Sequence, residues 1–380
     1  MNIIIGMDSF KGSMTSYEAG LAVKTGIEQL NMPEHNVTVI PVADGGEGTI
    51  EALTYGKKVK TISLRVKGPL GKDILSKYVI VNDETAIIEI AEAAGLTLVN
   101  EELRNPLNTT TYGVGEMILH AMNEGCKKFI IGLGGSATND CGIGMLNALG
   151  FDFTYKESKN VKYGAKSLKN ISNFSNLSVP GKLYQCDFWV ICDVDNPLVG
   201  ENGCSRIFAP QKGASSAMVD DMDSWMNEFA NLVEEKTLNL RYDRFTPGTG
   251  AAGGLGYAFL MFLNAKLLPG AKVVIHETGL ENYIKASDLV IVGEGKMDRQ
   301  SIMGKIPYAI ATLAKKYDKR VIAFAGIVED EAIVYETGVF DRIYSVERNG
   351  MSVDEAMKNE NAMKNLTQTV SGKIREELSL

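Results

Sequence analysis

The chain opens on an unbroken apolar run, Ile3 to Met7, which predicts a parallel strand buried on both faces. Thr15 and Glu18 follow at capping-box spacing, ahead of Ala22, Val23, Gly26, Ile27 and Leu30 at helical intervals, and Val37 to Val42 reads as a second strand. Strand, helix and strand in that order make a βαβ unit, hence a parallel sheet with a right-handed crossover. The far end repeats the pattern: Asp288 to Val292 reads as a buried strand, Ile306 to Tyr317 as a helix and Arg320 to Ala325 as a strand. Ser352 with Glu355 then caps a last helix through Ala356 and Met363. The middle differs, because Lys77 to Val81 and Thr85 to Ile90 flank Asn82-Asp83-Glu84, a hairpin signal. Lys127 to Leu133 and Phe188 to Asp193 read as further strands among glycine-rich loops.

These patterns predict an α/β protein of two domains. A Rossmann- or flavodoxin-like parallel sheet is made from both chain ends, residues 1–66 and 285–380, and a mixed α/β domain, residues 67–284, is inserted into it. The length of 380 residues agrees, since a domain averages about 150. With 45% hydrophobic and 23% charged residues the chain has apolar surface for sizeable cores. Its net charge of −8 argues against a nucleic-acid or anionic-membrane partner, which would call for an excess of Lys and Arg. No apolar run reaches the roughly 18 residues of a membrane span, and the first residues lack the features of a signal peptide. Five cysteines without a Cys-x-x-Cys pair read as reduced thiols of a cytoplasmic protein.

Five polar, glycine-rich segments follow predicted strands, where open α/β sheets place their ligands. Asp8-Ser9-Phe10-Lys11-Gly12-Ser13 offers a lysine and backbone amides to an anion, or is simply a turn with a solvated lysine. In Ala43-Asp44-Gly45-Gly46-Glu47-Gly48-Thr49, two carboxylates among glycines suit Mg²⁺ or a hydroxyl, although Asp-Gly-Gly also makes a tight turn. Gly132 to Gly142, containing Gly134, Gly135, Ser136, Ala137, Thr138 and Asn139, lies between an apolar run and the predicted helix Met145 to Leu149 and could cradle phosphates. It is not a Walker A loop, for no Gly-Lys pair in the chain precedes Ser or Thr. Asp193 and Asp195, two apart at a strand end, would share a face and repel unless a cation or a proton lies between them, or they are a solvated edge with Asp195 opening an Asx turn before Pro197. Gly293 to Ser301, with Glu294, Lys296, Asp298, Arg299 and Gln300, mixes acids and cations in a loop leading to Lys305 and could hold a carboxylate-bearing substrate, or be a solvated charged loop. His35, His120 and His276 are scattered and receive no role.

Taken together, these segments resemble the bacterial glycerate kinase family of the glyoxylate and galactarate pathway type. The match extends through Gly68-Pro69-Leu70-Gly71, Glu89 to Leu96, Thr110 to Gly115, Asp193 to Gly203, Pro210-Gln211-Lys212-Gly213, Thr246 to Gly256, and Met351-Ser352, in the family's order across essentially the whole chain. The resemblance implies phosphorylation of D-glycerate by ATP with Mg²⁺ in a cleft between two domains, and 2-phosphoglycerate as product. Departures are Cys141 for a usual glycine, Cys204 for a small residue, Ala209 for a glycine, and Lys296-Met297-Asp298-Arg299 for Arg-Leu-Asp-Ser; the acids stay in place. On this basis Asp193, Lys11 and Asp298 are the expected catalytic residues, and Asp44, Glu47, Lys305, Gln300 and Ser301 the expected substrate contacts. The loop from Gly134 to Asn139 is expected to hold nucleotide phosphates, and Asp193, Asp195 and Glu294 to hold the metal. A kinase for a related hydroxy acid and a sensor of sugar acids are the rival readings.

Overall fold

A computed structural model describes residues 1–31, 35–46, 48–156, 163–237 and 241–378, and the chain divides into two compact units, residues 1–56 with 269–380 and residues 57–268. In chain order, β1 (Asn2–Met7), α1 (Ser16–Glu28) and β2 (Asn36–Val39) open the first unit. The second unit holds β3 (Val59–Lys67), β4 (Asp73–Val81), β5 (Thr85–Glu89), α2 (Tyr112–Asn123), β6 (Lys128–Gly132), α3 (Ile143–Ala148), β7 (Asp152–Tyr155) and β8 (Ile171–Ser175). It continues through β9 (Asp187–Ile191), α4 (Ser216–Lys236), α5 (Ala251–Leu263) and β10 (Lys266–Leu268). The chain then returns to the first unit with β11 (Leu289–Met297), α6 (Ile306–Lys316), β12 (Arg320–Val328), β13 (Arg342–Ser345), α7 (Val353–Ala356) and α8 (Asn359–Glu377).

The first unit is an all-parallel sheet in the order β13-β12-β11-β1-β2. The βαβ reading of the N-terminus holds: Thr15 caps α1 by accepting from the Glu18 amide, and the Glu18 carboxylate accepts from the Thr15 amide. Helices α1 and α8 cover one face, packing Ala19, Val23, Leu366, Val370 and Ile374 on Ile3, Ile5, Ile322 and Phe324. Chain order runs outward from β1 to β2 on one side and from β11 through β12 to β13 on the other, so the topological switch lies between β1 and β11.

The second unit is a six-stranded mixed sheet, β10-β9-β6-β5-β4-β3, beside the antiparallel pair of β7 and β8. Its hairpin falls where the sequence places it, with Asn82 (φ 51°) and Asp83 (φ 63°) supplying the left-handed backbone of a tight turn between β4 and β5. Phe129, Phe188, Phe229 and Phe259 fill its core.

Three expectations need correction. The strand after α1 stops at Val39: the Ile40 amide still donates to the Ile5 carbonyl, but the next ladder pair, the Val42 amide and the Met7 carbonyl, is taken up by the Ser16 hydroxyl. The last helix is two helices. Ser352 caps only α7, whose Glu355 carbonyl accepts from the Asn361 side chain, and the chain passes through an extended Lys358 before α8 begins. The strand expected to end at Val292 runs on to Met297, so Glu294 and Lys296 are strand residues, paired opposite Ala325 and Ile327 of β12. Glycines and charges there imitate a loop, but a neighbouring strand of equal length supplies the hydrogen bonds that keep the segment extended.

Candidate active site

At the carboxyl ends of β1 and β11 the first unit gathers its polar side chains. The Asp8 amide donates to the Gly293 carbonyl (2.8 Å), which carries the strand register into the loop. Phe10 and Met14 then exchange two backbone hydrogen bonds, and Gly12, at φ 75°, lets the chain reverse so that Lys11 stands at the tip. The Ser16 hydroxyl ties the Met7 carbonyl to the Val42 amide, fixing the loop that carries Asp44 (2.7 and 2.8 Å). Gly293 is needed for a different reason: a Cβ there would stand 2.0 Å from the Phe324 carbonyl.

Asp8, Lys11, Asp44, Glu294 and Lys305 line one cavity of about 310 Å³. Asp8 is buried, and its Oδ1 accepts from the Ser9 amide (2.7 Å). Desolvation, reinforced by the Asp44 and Glu294 carboxylates, pushes it up to about 7. Glu294, 4% exposed, is also pushed up by burial, while its Oε2 accepts from Lys305 (2.9 Å) and the nearby Ser301 hydroxyl favours the ionised form. Among the described residues its buried Oε1 has no hydrogen-bond partner. Burial pulls the Lys305 ammonium down, and the Glu294 bond and charge more than offset it. Three carboxylates and three ammoniums, Lys296 being the third, converge here in a partly desolvated hollow, an arrangement suited to binding an anion and accepting a proton.

Of the other expected residues in this unit, Asp298 caps a turn, accepting from the Gln300 amide (2.9 Å) and facing Lys296 (3.5 Å). Burial alone would raise its carboxyl, but the Gln300 amide, Lys296 and Lys305 hold it below the ordinary value. Ser301 is buried and its hydroxyl accepts from the Asp298 amide (2.9 Å), whereas Gln300 is exposed. Glu47 lies outside the described residues.

In the second unit, Gly134 and Gly135 are exposed while Ser136, Ala137, Thr138 and Asn139 are buried. Asn139 donates to the Ser205 hydroxyl (2.9 Å), and Asp140 beside it accepts from the Thr111 amide and hydroxyl and the Gly142 and Gly144 amides. The segment is thus anchored by its side chains and presents two glycines. Behind it lies Lys212, 2% exposed, donating to the Ser136 hydroxyl (2.8 Å) and the Thr138 carbonyl (2.7 Å). Burial pulls its ammonium down to about 8. Asp193 and Asp195 are exposed and lie beyond β9, which ends at Ile191, so the alternation expected to align them is absent. The adjoining β10 ends at Leu268, opposite Ile191, and has no residues to pair with a longer strand. Among the described residues no group of three or more His, Cys, Asp or Glu is arranged to hold a metal ion.

Sequence reasoning gave no role to Asp8, Lys212 or Arg348. Asp8 stood in a segment already singled out, and an acid directly after a buried strand was the available signal. Lys212 reads as an ordinary lysine before a glycine, and only packing shows it to be buried.

Residues 3–376 match the family model described as the glycerate kinase family. A glycerate 2-kinase of Escherichia coli (strain K12) is 42% identical over 94% of this chain and 93% of that protein. A glycerate kinase of Halalkalibacterium halodurans is 40% identical over 94% of this chain and 93% of its own. The crystal structure of a Salmonella typhimurium LT2 protein described as glycerate kinase 2 aligns with a TM-score of 0.88 at 35% identity, covering 100% of both chains.

Proposed function

Because this chain belongs to the glycerate kinase family, we propose that it transfers the γ-phosphoryl group of ATP to the 2-hydroxyl of D-glycerate and that the acceptor end of the reaction lies in the first unit. It is an ATP-dependent glycerate kinase by family; the hydroxyl, the metal and the residue roles are the proposal. The E. coli relative, named for the 2-position, supports the choice of hydroxyl.

Phosphoryl transfer needs positioning and charge neutralisation more than covalent chemistry. Lys305, held by Glu294, and Lys11 supply positive charge for the glycerate carboxylate and the moving phosphoryl group. Asp8 takes the hydroxyl proton on Oδ2, since Oδ1 is engaged by the Ser9 amide and burial sets its carboxyl near neutrality. Asp193 and Asp195, which are exposed, are the weaker candidates for that step.

Mg²⁺ usually binds through one or two carboxylates together with substrate phosphates, and it would neutralise phosphate charge here. The unpartnered, buried Oε1 of Glu294 fits that use, with Asp44 on the same cavity as the second acid.

The observation that carries the reading is the pair of buried acids, Asp8 and Glu294, gathered with Lys11 and Lys305 at the switch point of a chain matching the family from residue 3 to 376. A coupled ADP-release assay with D-glycerate and a panel of other hydroxy acids tests it. Turnover should be fastest with D-glycerate, and phosphorus NMR should show the 2-phosphate. Preference for another acid, or no turnover at all, would replace this reading with a related kinase or a sensor.

A further inference from the structure

The cavity that holds the acids is larger than a small hydroxy acid requires, and its lining is of two kinds. At about 310 Å³ it reaches the range of roughly 300–1,000 Å³ that accommodates drug-sized ligands. Beside the acids, part of its lining is apolar, made by Phe10, Met14, Ile327, Val353, Ala356 and Met357. Three of these remain exposed, Ile327 at 40% and Val353 and Met357 at 43% each. Glycerate, a carboxylate with two hydroxyls, has nothing to place against such a wall.

The rim carries a second asymmetry. Lys296 is paired with Glu329 (2.9 Å) and Lys305 with Glu294, but among the described residues the side chains of Lys11 and Arg348 close no ion pair and no hydrogen bond. Two unpaired cations beside an apolar lining, at the switch point of a parallel sheet, match a ligand that is aromatic at one end and polyanionic at the other.

We propose that this cavity is the nucleotide site: the adenine of ATP lies between the Phe10 and Met14 hairpin and α7 with the following Met357, and the phosphates extend past Arg348 and Lys11 towards Asp8 and Glu294. The inference rests on the kinase reading above and deepens it. It places the base in the first unit and asks nothing of the glycine loop at Gly134, which was expected to hold the phosphates.

The test uses the full-length protein with ADP as calorimetric probe and steady-state kinetics with ATP and D-glycerate. Ala356→Trp, from a half-buried helical position, fills the cavity; Arg348→Ala removes a solvent-exposed rim cation and leaves the apolar lining intact. Both should weaken ADP binding and raise KM for ATP at least tenfold while KM for D-glycerate stays within about twofold. Wild-type affinity for ADP in both variants overturns the inference, as does a change confined to KM for D-glycerate. If wild-type protein binds ADP through these residues but forms no phosphoglycerate, the glycerate reading fails and the nucleotide site stands.

Discussion

Two buried charges decide most at the scale of single residues, and both cost stability. Asp8 is held near pH 7 against an ordinary value of 3.8, so between those values the folded chain keeps a proton that the unfolded chain has lost. Stability therefore falls as pH rises through that window, by a few kcal/mol at most, taking about 1.4 per unit. Asp8→Asn should be more resistant to urea than wild type at pH 8 and lose that advantage near pH 4, while kcat drops at least about a hundredfold if Asp8 is the proton acceptor. A variant that is weaker at pH 8 and fully active removes Asp8 from the role. Asp193→Asn in the same assay provides the comparison, with a kcat close to wild type expected.

Lys212 has the opposite sign. Its ammonium titrates at about 8 in the folded chain against 10.5 ordinarily, so above pH 8 the unfolded chain binds the extra proton and stability rises with pH. The full relief is roughly 3 kcal/mol by pH 10.5. The stability difference between wild type and Lys212→Met should shift by that order between pH 8 and 10.5 in favour of wild type, read from paired urea melts. A pH-independent difference would mean that the ammonium is hydrated rather than buried.

Among the elements, the β4–β5 hairpin is the most exposed to a single change. Asn82 and Asp83 both adopt left-handed backbone, which costs an ordinary residue about 1–2 kcal/mol. Asn82→Val should lower stability by about that amount without altering KM for either substrate, as measured by thermal melts and kinetics. A neutral effect would show that the turn relaxes to another type. The extension of β11 teaches the complementary lesson. Gly293-Glu294-Gly295 has poor strand propensity, yet it pairs with Phe324 and Ala325 because both neighbours are already in place and Gly293 lets the strands approach. That extension puts Glu294 in the cavity.

For the molecule as a whole, each unit closes its own core, and among the described residues none of the Phe129 and Phe259 cluster comes from outside residues 57–268. Both tryptophans, Trp189 and Trp225, lie in that unit. A fragment of residues 57–268 should therefore unfold cooperatively by tryptophan fluorescence; a gradual, non-cooperative melt would show that the segment is not an independent domain.

Hydrophobic periodicity and capping pairs determined the βαβ start, the parallel strands and the hairpin, because strand and helix periods are local and Thr15, Glu18, Asn82 and Asp83 act within a few residues of themselves. The segments at Asp8, Asp44 and Glu294 were legible as chemistry for the same reason, and the order of motifs along the chain was enough to read the family. Tertiary structure alone decided which of those polar groups are desolvated. It placed Asp8 and Glu294 in one hollow, left Asp193 exposed, buried Lys212 and walled the cavity with side chains from both ends of the chain. Burial and electrostatic coupling depend on distances between residues far apart in sequence, and those distances come into being only when the sheet is assembled.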